Sequence, residues 1–405
     1  MKILQINSFF YDRGGDCRHM FATTALLEKH GHKVVHFAMK HPQNLNSPYA
    51  EHWPSYIDYK EALKTKNIRT ALKVLWRTIY SKEAKDCLSK LLDTEKPDIV
   101  HIHNILHHLS PSILGEIKKR GIPLVWTLHD YTIICPNTHL LTDKGVICQS
   151  CKKRNFFMAP LKKCKKNSLA ASFMAMLENY THRLLNVYRH VDQFIAPSEF
   201  LRQKFLEFGM GRKVFVLPNF IETDNLDPAY SSQGYYLYFG RLSHIKGIST
   251  LIDAARLNPD IPLKVAGDGE LLKELRAENI PNVDFLGFQD QDKLKKLIAG
   301  AMFVVVPSEW YENFPYAVLE SMAYGKPVIG ADIGGIPEQI EHGIDGYLFE
   351  PRDSEQLAVY IKLLTGNHEL RLSMGQEARK KIETLYSADL HYELLMSLYQ
   401  RQLKQ

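Results

Sequence analysis

Two glutamates in the second half of the chain, Glu312 and Glu320, lie eight positions apart in the run PSEWYENFPYAVLESMAYGKPVIG of residues 307–330. The pattern predicts a strand, a turn and then a helix, with both carboxylates directed into one pocket. Carboxylates accept hydrogen bonds from vicinal hydroxyl groups, so the pair suits a ligand that carries a ribose and a hexose. Glutamates at this spacing also occur on solvated helix faces, and only their context favours a site.

The loop GRLSHIKG of residues 240–247 supplies two cations, Arg241 and Lys246. It follows an apolar run and precedes a helical pattern, so backbone N–H groups at a helix start are expected beside these side chains. Such an arrangement binds a diphosphate, and arginine adds a forked donor geometry that lysine lacks. The alternative is a pair of solvated surface cations.

Four of the six cysteines form the pattern C-x12-C-x2-C-x12-C, as Cys135, Cys148, Cys151 and Cys164. The central Cys-x2-Cys with two flanking thiols has the spacing of a structural zinc site. Reduced free thiols and a redox role are the alternatives, and His139 is a possible substitute for one thiol. A cytoplasmic protein is not expected to use these thiols in disulfides.

The elements that position these residues follow from alternating apolar runs and helical patterns, which predict an α/β fold with parallel, doubly wound sheets. A polar, turn-rich stretch at residues 221–234 separates two such series. The predicted parts are an N-terminal domain of residues 1–220 with a Cys-rich insertion at 131–167, a second domain of residues 221–385, and a final helix at 386–405. Ser387 is the predicted N-cap of that helix.

Ligands of parallel sheets bind outside the carboxyl ends of the strands. In the first half, this rule selects residues that directly follow apolar runs, namely Gly14, Gly15, His103, Asn104 and His129. In the second half, it selects Gly240 and the GDG segment from Gly267 to Gly269 in addition to the residues above.

Charge is distributed unevenly between the halves. Residues 1–220 carry 33 Lys and Arg against 18 Asp and Glu, whereas residues 221–405 carry 18 against 27. The basic half is either simply solvated or attracted to an anionic membrane or a phosphorylated acceptor. Nucleic acid is not an expected partner because no nucleic-acid-binding motif accompanies the charge.

No apolar run reaches the length of a membrane span, and the N-terminus resembles a first strand more than a signal peptide, so a cytoplasmic location is expected. The amphipathic run at residues 169–187 and the lysines before it predict either a core helix or a peripheral contact with the inner face of a membrane.

The chain resembles the retaining glycosyltransferases of family 4, the group 1 transferases of the GT-B fold. The resemblance covers nearly the whole length and rests on GRLSHIKG, the GDG segment, the Glu-x7-Glu run and GGIPEQIEHGIDGYLF at residues 334–349. It implies two facing Rossmann-like domains with a cleft between them and a C-terminal helix that returns to the first domain. It also implies transfer of a hexose-type sugar from a nucleoside-diphosphate sugar to a glycan or lipid-linked acceptor, without a catalytic metal, in bacterial surface polysaccharide synthesis.

The resemblance further implies that Arg241 and Lys246 bind the diphosphate, Glu320 the ribose and Glu312 the donor sugar. His129 is expected to face the sugar, so the implied catalytic residues are His129, Glu312, Arg241 and Lys246. The implied donor-binding residues are Gly14, Gly15, Gly240, Arg241, Lys246, Gly267, Gly269, Glu312, Asn313, Phe314, Pro315 and Glu320. His103 and Asn104 are the candidates for acceptor binding.

Pro315 departs from the family pattern, in which Gly often follows the phenylalanine, and proline supplies no N–H. Two other functions stay open: a GT-B nucleotide-sugar epimerase, which needs no acceptor, and a non-catalytic sugar-nucleotide-binding subunit. A dinucleotide oxidoreductase is disfavoured because the GDG segment is too short for the Gly-x-Gly-x-x-Gly fingerprint.

Overall fold

The computed structural model describes residues 1–57, 77–142, 144–210 and 214–404. The chain divides into two compact units. Unit 1 comprises Met1–Pro197, Arg202–Leu217 and Tyr392–Gln405, and unit 2 comprises Ser198–Leu201 and Pro218–His391. The main changes between units therefore fall after Leu217 and after His391, whereas the sequence analysis placed them after residues 220 and 385.

A sheet of six strands forms the centre of unit 1. The strands are β1 (Lys2–Asn7), β2 (Lys33–Phe37), β3 (Ile99–Asn104), β4 (Leu124–Thr127), β5 (Gln193–Ala196) and β6 (Val214–Val216). They are parallel in the order β2-β1-β3-β4-β5-β6, and Ile3 pairs with Val34 on one side and with Ile99 on the other. Most of these strands are buried along nearly their whole length, as expected for a parallel sheet covered on both faces.

The α-helices that the structure describes in the first half of the chain lie between these strands in sequence. They are α1 (Gly15–Lys29), α2 (Lys82–Glu95), α3 (Leu114–Lys119), α4 (Met158–Leu161), α5 (Leu169–Leu184) and α6 (Glu199–Glu207). Serine side chains fix two of the helix starts: Ser81 Oγ accepts the N–H of Ala84 at the start of α2, and Ser168 Oγ accepts the N–H of Ala171 at the start of α5.

Unit 2 has its own parallel six-stranded sheet. Its strands are β7 (Tyr235–Phe239), β8 (Leu263–Ala266), β9 (Val283–Gly287), β10 (Ala301–Val306), β11 (Val328–Ala331) and β12 (Gly346–Phe349), in the order β12-β11-β10-β7-β8-β9. Its helices are α7 (Ile248–Arg256), α8 (Leu272–Ala277), α9 (Gln291–Gly300), α10 (Tyr316–Ala323), α11 (Ile336–Gln339), α12 (Ser354–Gly366) and α13 (His368–Leu385). The predicted α/β class with two doubly wound, Rossmann-like sheets is confirmed.

Each sheet contains a point where the strand order reverses, and ligands of open α/β sheets bind at such points. In unit 1, β1 lies between β2 and β3, so the reversal falls between β1 and β3. In unit 2, β7 lies between β10 and β8, so the reversal falls between β7 and β10. The loops after these four strands are therefore the places to look for function.

The last helix, α14 (Ala388–Leu403), begins as predicted with Ser387, whose Oγ accepts the N–H of Leu390. From Tyr392 onward the chain belongs to unit 1. There Leu395 and Tyr399 are fully buried in the core that contains Ile3, and the Tyr399 hydroxyl lies 2.6 Å from Nδ1 of His101. The end of the chain is thus an integral part of the unit 1 core.

The predicted insertion at residues 131–167 contains little regular structure, namely α4 and one short 3-10 helix at Lys152–Arg154. The amphipathic run that follows forms α5, which buries Ala175 and Met176 and exposes Leu169 and Phe173. Among the helices that the structure describes, none is both long and apolar enough to cross a lipid bilayer.

One buried histidine makes the stability of unit 2 depend on pH. The His391 ring lies against that of Phe220, with 4.3 Å between centroids and a tilt of 31°, and its Nδ1 lies 2.9 Å from the Pro218 carbonyl oxygen. Burial lowers the pKa of His391 to about 4. The unfolded histidine, with a pKa of about 6.5, binds a proton at higher pH, so stabilisation present above pH 6.5 is lost as the pH falls towards 4.

We therefore expect the free energy of unfolding of unit 2 to fall by about 2 kcal/mol from pH 7 to pH 5 through His391 alone. Denaturant unfolding followed across this range measures the effect. His391→Gln should flatten the slope, whereas the substitution His368→Gln, at an exposed position, should leave it unchanged. Equal slopes in the two variants would contradict the assignment.

Candidate functional site

The loops at residues 240–247 and 307–315 follow the neighbouring strands β7 and β10, where the order of the unit 2 sheet reverses. The two loops meet backbone to backbone. Gly247 has a φ of +69°, and a Cβ at this position would lie 1.7 Å from the Pro307 carbonyl oxygen. Only glycine fits both constraints, so this residue allows the two loops to touch.

Glu312 is the centre of a hydrogen-bond network in this place and is only 5% exposed. Its Oε1 accepts three donors: Lys246 Nζ at 2.5 Å, Ser308 Oγ at 2.7 Å and Trp310 Nε1 at 2.8 Å. The Lys246 ammonium also lies 5.4 Å from the centre of the Trp310 ring. A buried carboxylate is stable only when it is paired and hydrogen-bonded, and this network satisfies that requirement.

Arg241 is exposed, and its position is fixed through its backbone, because the Tyr238 hydroxyl donates to its carbonyl oxygen over 2.8 Å. The GDG segment packs directly against this loop. A Cβ at Gly267, where φ is +151°, would lie 1.9 Å from the Gly240 carbonyl oxygen, and one at Gly269 would lie 2.2 Å from the Leu242 carbonyl oxygen. These glycines therefore shape and support the loop that presents Arg241.

The Phe314 side chain lies in the core, 4% exposed, with its ring 5.3 Å from that of Tyr386. Its carbonyl oxygen accepts Nδ2 of Asn219. The side chain is thus a packing group, which leaves only backbone for a ligand. Pro315 is the N-cap of α10 and has no N–H, so the first amide of this helix belongs to Tyr316.

Asn313 and Glu320 have side-chain oxygens that are buried, Oδ1 and Oε2 respectively. Glu320 lies on α10. Burial raises the pKa of Tyr324, and the charge of Glu320 adds to this effect.

Lys246 and Glu312 form a direct ion pair. The structure thus joins the first carboxylate of the Glu-x7-Glu run to the lysine of the other loop, a contact that the sequence analysis did not include.

The candidate residues of unit 1 lie at its own strand ends. Gly14 precedes α1 and its carbonyl accepts the N–H of Arg18, so Gly15 is the first residue of this helix. Asn104, at the end of β3, approaches the carboxylate of Asp16 in the first turn of α1 at 3.5 Å. The ends of β1 and β3 thus meet at the start of α1.

His103 and His129 form a pair, with 3.2 Å between Nδ1 of His103 and Nε2 of His129. Burial lowers the pKa of both rings, and the carboxylates of Asp16 and Asp130 partly oppose this for His129. One neutral ring can then donate to the other. Both line a small cavity of about 10 Å³, large enough for a single water, whose walls are His103, Asn104, Leu106, Trp126, Leu128, His129, Asp130 and Ile133.

A larger open groove in unit 1 was not predicted. It has a volume of about 740 Å³ and lies in the segment after β2. Its walls include Lys40, His41, Trp53 and Tyr56. The His41 ring is stacked 4.9 Å from that of Tyr11, so aromatic faces line this region. The signal in the sequence was the density of aromatic residues and histidines at positions 36–56.

An Asp-x-Asp run at residues 290–292 bears on metal binding, since paired aspartates at a strand end often hold a divalent cation. Asp290 instead is the N-cap of α9, and its Oδ1 accepts the N–H of Lys293 over 2.9 Å. The aspartate at residue 290 therefore serves to start α9.

Comparison with known families agrees with this geometry. The model described as "Glycosyltransferase Family 4" matches residues 13–225, which is more than half of the chain, and "Glycosyl transferases group 1" matches residues 222–381. The chain belongs to glycosyltransferase family 4. The resemblance found in the sequence is therefore confirmed. The group 1 match at residues 222–381 includes Arg241, Lys246, Glu312 and Glu320.

Individual relatives place this family 4 glycosyltransferase in context. It is 28% identical over 314 residues to the N-acetyl-alpha-D-glucosaminyl L-malate synthase of Bacillus anthracis, covering 73% of this chain and 72% of that one. It is 30% identical over 174 residues to the O-antigen chain mannosyltransferase C of Escherichia coli, covering 41% and 46%. Among solved structures, Anabaena HepE in complex with UDP matches with a TM-score of 0.64 at 20% identity, covering 99% and 100%. This last likeness shows that the chain shares the fold.

The ion pair of this glycosyltransferase can be tested without a substrate. Removing one partner leaves a buried charge unpaired, so Lys246→Met and Glu312→Gln should be coupled in a double-mutant cycle by about 1 kcal/mol or more. Denaturant unfolding of the four proteins measures this coupling. The exposed pair Lys380 and Glu377, substituted in the same way, should give less than about 0.5 kcal/mol. Additive effects at residues 246 and 312 would contradict the network.

Proposed function

We propose that this family 4 glycosyltransferase transfers a hexose-type sugar from a nucleoside-diphosphate sugar to a glycan or lipid-linked acceptor, with retention of the anomeric configuration. The observation that carries the proposal is the junction of the two switch-point loops, where Lys246 pairs with Glu312 and Arg241 is exposed on the same loop as Lys246. Bacterial relatives such as the O-antigen chain mannosyltransferase support a role in surface polysaccharide synthesis.

The diphosphate is assigned to the loop at residues 240–247. Arg241 offers a forked guanidinium that is free to turn towards an anion, and the N-terminus of α7 follows directly at Ile248. A phosphate gains from both the charge and the helix amides. Lys246 is close enough to share its ammonium between Glu312 and a phosphate oxygen. UDP in the structure of HepE, a protein of the same fold, supports a nucleotide ligand.

The sugar is assigned to Glu312 and the ribose to Glu320. Ser308 and Trp310 hold the Glu312 carboxylate through one oxygen, Oε1, and leave Oε2 for a hydroxyl group of the donor. When the donor bond breaks, negative charge develops on the departing diphosphate. Cations and amides that already surround that position lower the barrier, and this stabilisation is the main catalytic contribution that we assign to the protein.

The acceptor is assigned to unit 1. The groove near His41 and Trp53 has room for a sugar, and aromatic faces suit the apolar faces of sugar rings. His103 and Asn104 line the small cavity at the ends of β3 and β4, and His129 completes it. Burial lowers the pKa of His129 and keeps its ring neutral near neutral pH, so one ring nitrogen carries no proton and can accept a hydrogen bond.

The donor assignment predicts a specific loss of ligand binding. A nucleotide-sugar panel should contain one donor that stabilises the protein by roughly 2.7 kcal/mol at 100 times its dissociation constant, seen as a rise in Tm. Arg241→Ala should abolish this rise and leave the Tm of the free protein unchanged, because Arg241 is exposed. Lys273→Ala, which removes an exposed cation on α8 of the same unit, is the matched control and should keep it.

Either of two results would count against the proposal. If no donor raises the Tm, the nucleotide-sugar assignment fails. If Arg241→Ala responds as strongly as Lys273→Ala, the loop at residues 240–247 is not the diphosphate site. Product analysis with the stabilising donor then separates transfer from epimerisation, because an epimerase converts the donor without an acceptor.

We also propose that unit 1 associates with an anionic membrane surface through the insertion and α5. Seven large apolar side chains are exposed in the described part of the insertion and α5, and Phe157, Leu161, Leu169 and Phe173 are among them. Exposed lysines lie between them in sequence, at positions 162, 163 and 166. Apolar side chains that enter the interface next to lysines that attract anionic lipid are the two features of a peripheral membrane contact.

Vesicle sedimentation tests this contact. The protein should sediment with vesicles of phosphatidylglycerol and phosphatidylcholine at low salt, and less with phosphatidylcholine alone or at high salt. Phe157→Ser with Leu161→Ser should reduce binding several-fold. Leu257→Ser, which removes a similarly exposed leucine of unit 2, should have no effect. Equal binding by both variants would rule out this surface.

A further inference from the structure

The four cysteines of the insertion are not used by the glycosyltransferase site in unit 2. They are free thiols, of which Cys135, Cys151 and Cys164 are buried and Cys148 is partly exposed. Buried thiols are usually inert packing groups, but four of them in one short insertion of little regular structure call for another explanation. The backbone around them shows how they are gathered.

A turn and a hairpin bring the first two cysteines to the same place. An antiparallel bridge joins Leu141 to Ile147, and the N–H of Cys148 donates to the Leu140 carbonyl oxygen over 2.7 Å. Leu140 in turn donates its own N–H to the sulfur of Cys135, as does Asn137. Backbone N–H groups directed at a cysteine sulfur stabilise the thiolate, which is the form that binds metals.

The segment that carries Cys164, the last of the four cysteines, also approaches Cys148. The N–H of Cys164 donates to the Ala159 carbonyl oxygen, which closes the turn after α4. Two residues earlier, Lys162 Nζ lies 3.8 Å from Cys148 Sγ and 2.6 Å from Ser150 Oγ. The ends of the C-x12-C-x2-C-x12-C pattern therefore return to its central Cys-x2-Cys.

The insertion also carries an unusual amount of backbone strain. Of the 13 non-glycine residues with positive φ in the described part of the chain, seven lie between residues 131 and 167. They are Thr138, Leu140, Lys153, Arg154, Lys163, Lys166 and Asn167. Such conformations persist only where the surroundings fix them, and this segment has few strands or helices to do so.

We propose that Cys135, Cys148, Cys151 and Cys164 bind one zinc ion as a structural, tetrahedral site that holds the insertion together. Within the described residues, the side chains do not already stand as a set of three or more metal ligands, so the thiols must rotate about their Cα–Cβ bonds to meet the ion. The four thiols release four protons when Zn²⁺ binds. The resulting site carries a net charge of about −2, which Lys162 and Lys165 offset.

Metal content tests this proposal on the full-length protein. Protein made in zinc-supplemented medium and purified with a reductant should contain about one zinc per chain by mass spectrometry of the metal. Replacement by Co²⁺ should give the intense visible absorption of a tetrahedral cobalt site and a near-ultraviolet thiolate-to-cobalt band. Cys148→Ser with Cys151→Ser should reduce the metal content at least fivefold, whereas Cys87→Ser, outside the insertion, should retain it.

Stability gives a second readout in case the double variant folds poorly. A strong chelator should lower the Tm of the wild-type protein and increase proteolytic cleavage between residues 131 and 167, and added Zn²⁺ should reverse both effects. The Cys87→Ser protein should respond in the same way. A metal-free protein with six titratable thiols, or one with disulfides between these cysteines, would overturn the proposal. Neither result would affect the assignments in unit 2.

Discussion

Backbone contact between the loops at residues 240–247 and 307–315 is the constraint on which the candidate donor site depends. The Pro307 carbonyl occupies the space that a side chain at residue 247 would need. Because nothing separates the loops, Lys246 is able to reach Glu312 although the two are 66 positions apart in sequence. The packing of the GDG segment on Gly240 repeats this arrangement on the next strand. Three successive strand ends are therefore joined through close backbone contacts rather than through side chains.

A buried carboxylate at a ligand site has two competing requirements. Glu312 needs donors to be stable in the folded chain, yet it must keep acceptor capacity for a ligand. The structure meets both requirements by directing Lys246, Ser308 and Trp310 to the same oxygen, Oε1. Of these donors, only the lysine carries a charge that a phosphate can share. Ser308 and Trp310 are thus able to keep the carboxylate in place while Lys246 responds to the ligand.

The sequence was informative where chemistry and local structure coincide. Arg241 and Lys246 were selected as candidates because a strand-to-helix loop with cations is a local pattern. The N-cap Ser387 was predicted correctly because an N-cap depends only on its own helix. The Lys246–Glu312 bond depends on strand order, which periodicity does not determine. Phe314 was expected to offer its backbone amide to the ligand, and sequence alone did not show that its ring packs 5.3 Å from that of Tyr386.

The same reasoning explains why the insertion was the hardest part to interpret. The described residues of the segment 131–167 form no strand that joins the sheet and only one turn of α-helix, so hydrophobic periodicity says little about them. Small segments without enough core need another source of stability, and cross-links or metals are the usual ones. Spacing identified the four cysteines. The structure adds that the backbone N–H groups of Asn137 and Leu140 donate to the sulfur of Cys135.

Because α5 begins a few residues beyond Cys164, whatever fixes the cysteine cluster also fixes the start of the helix that exposes Leu169 and Phe173. Metal binding and membrane contact would then be linked, since loss of the first would release the surface that makes the second.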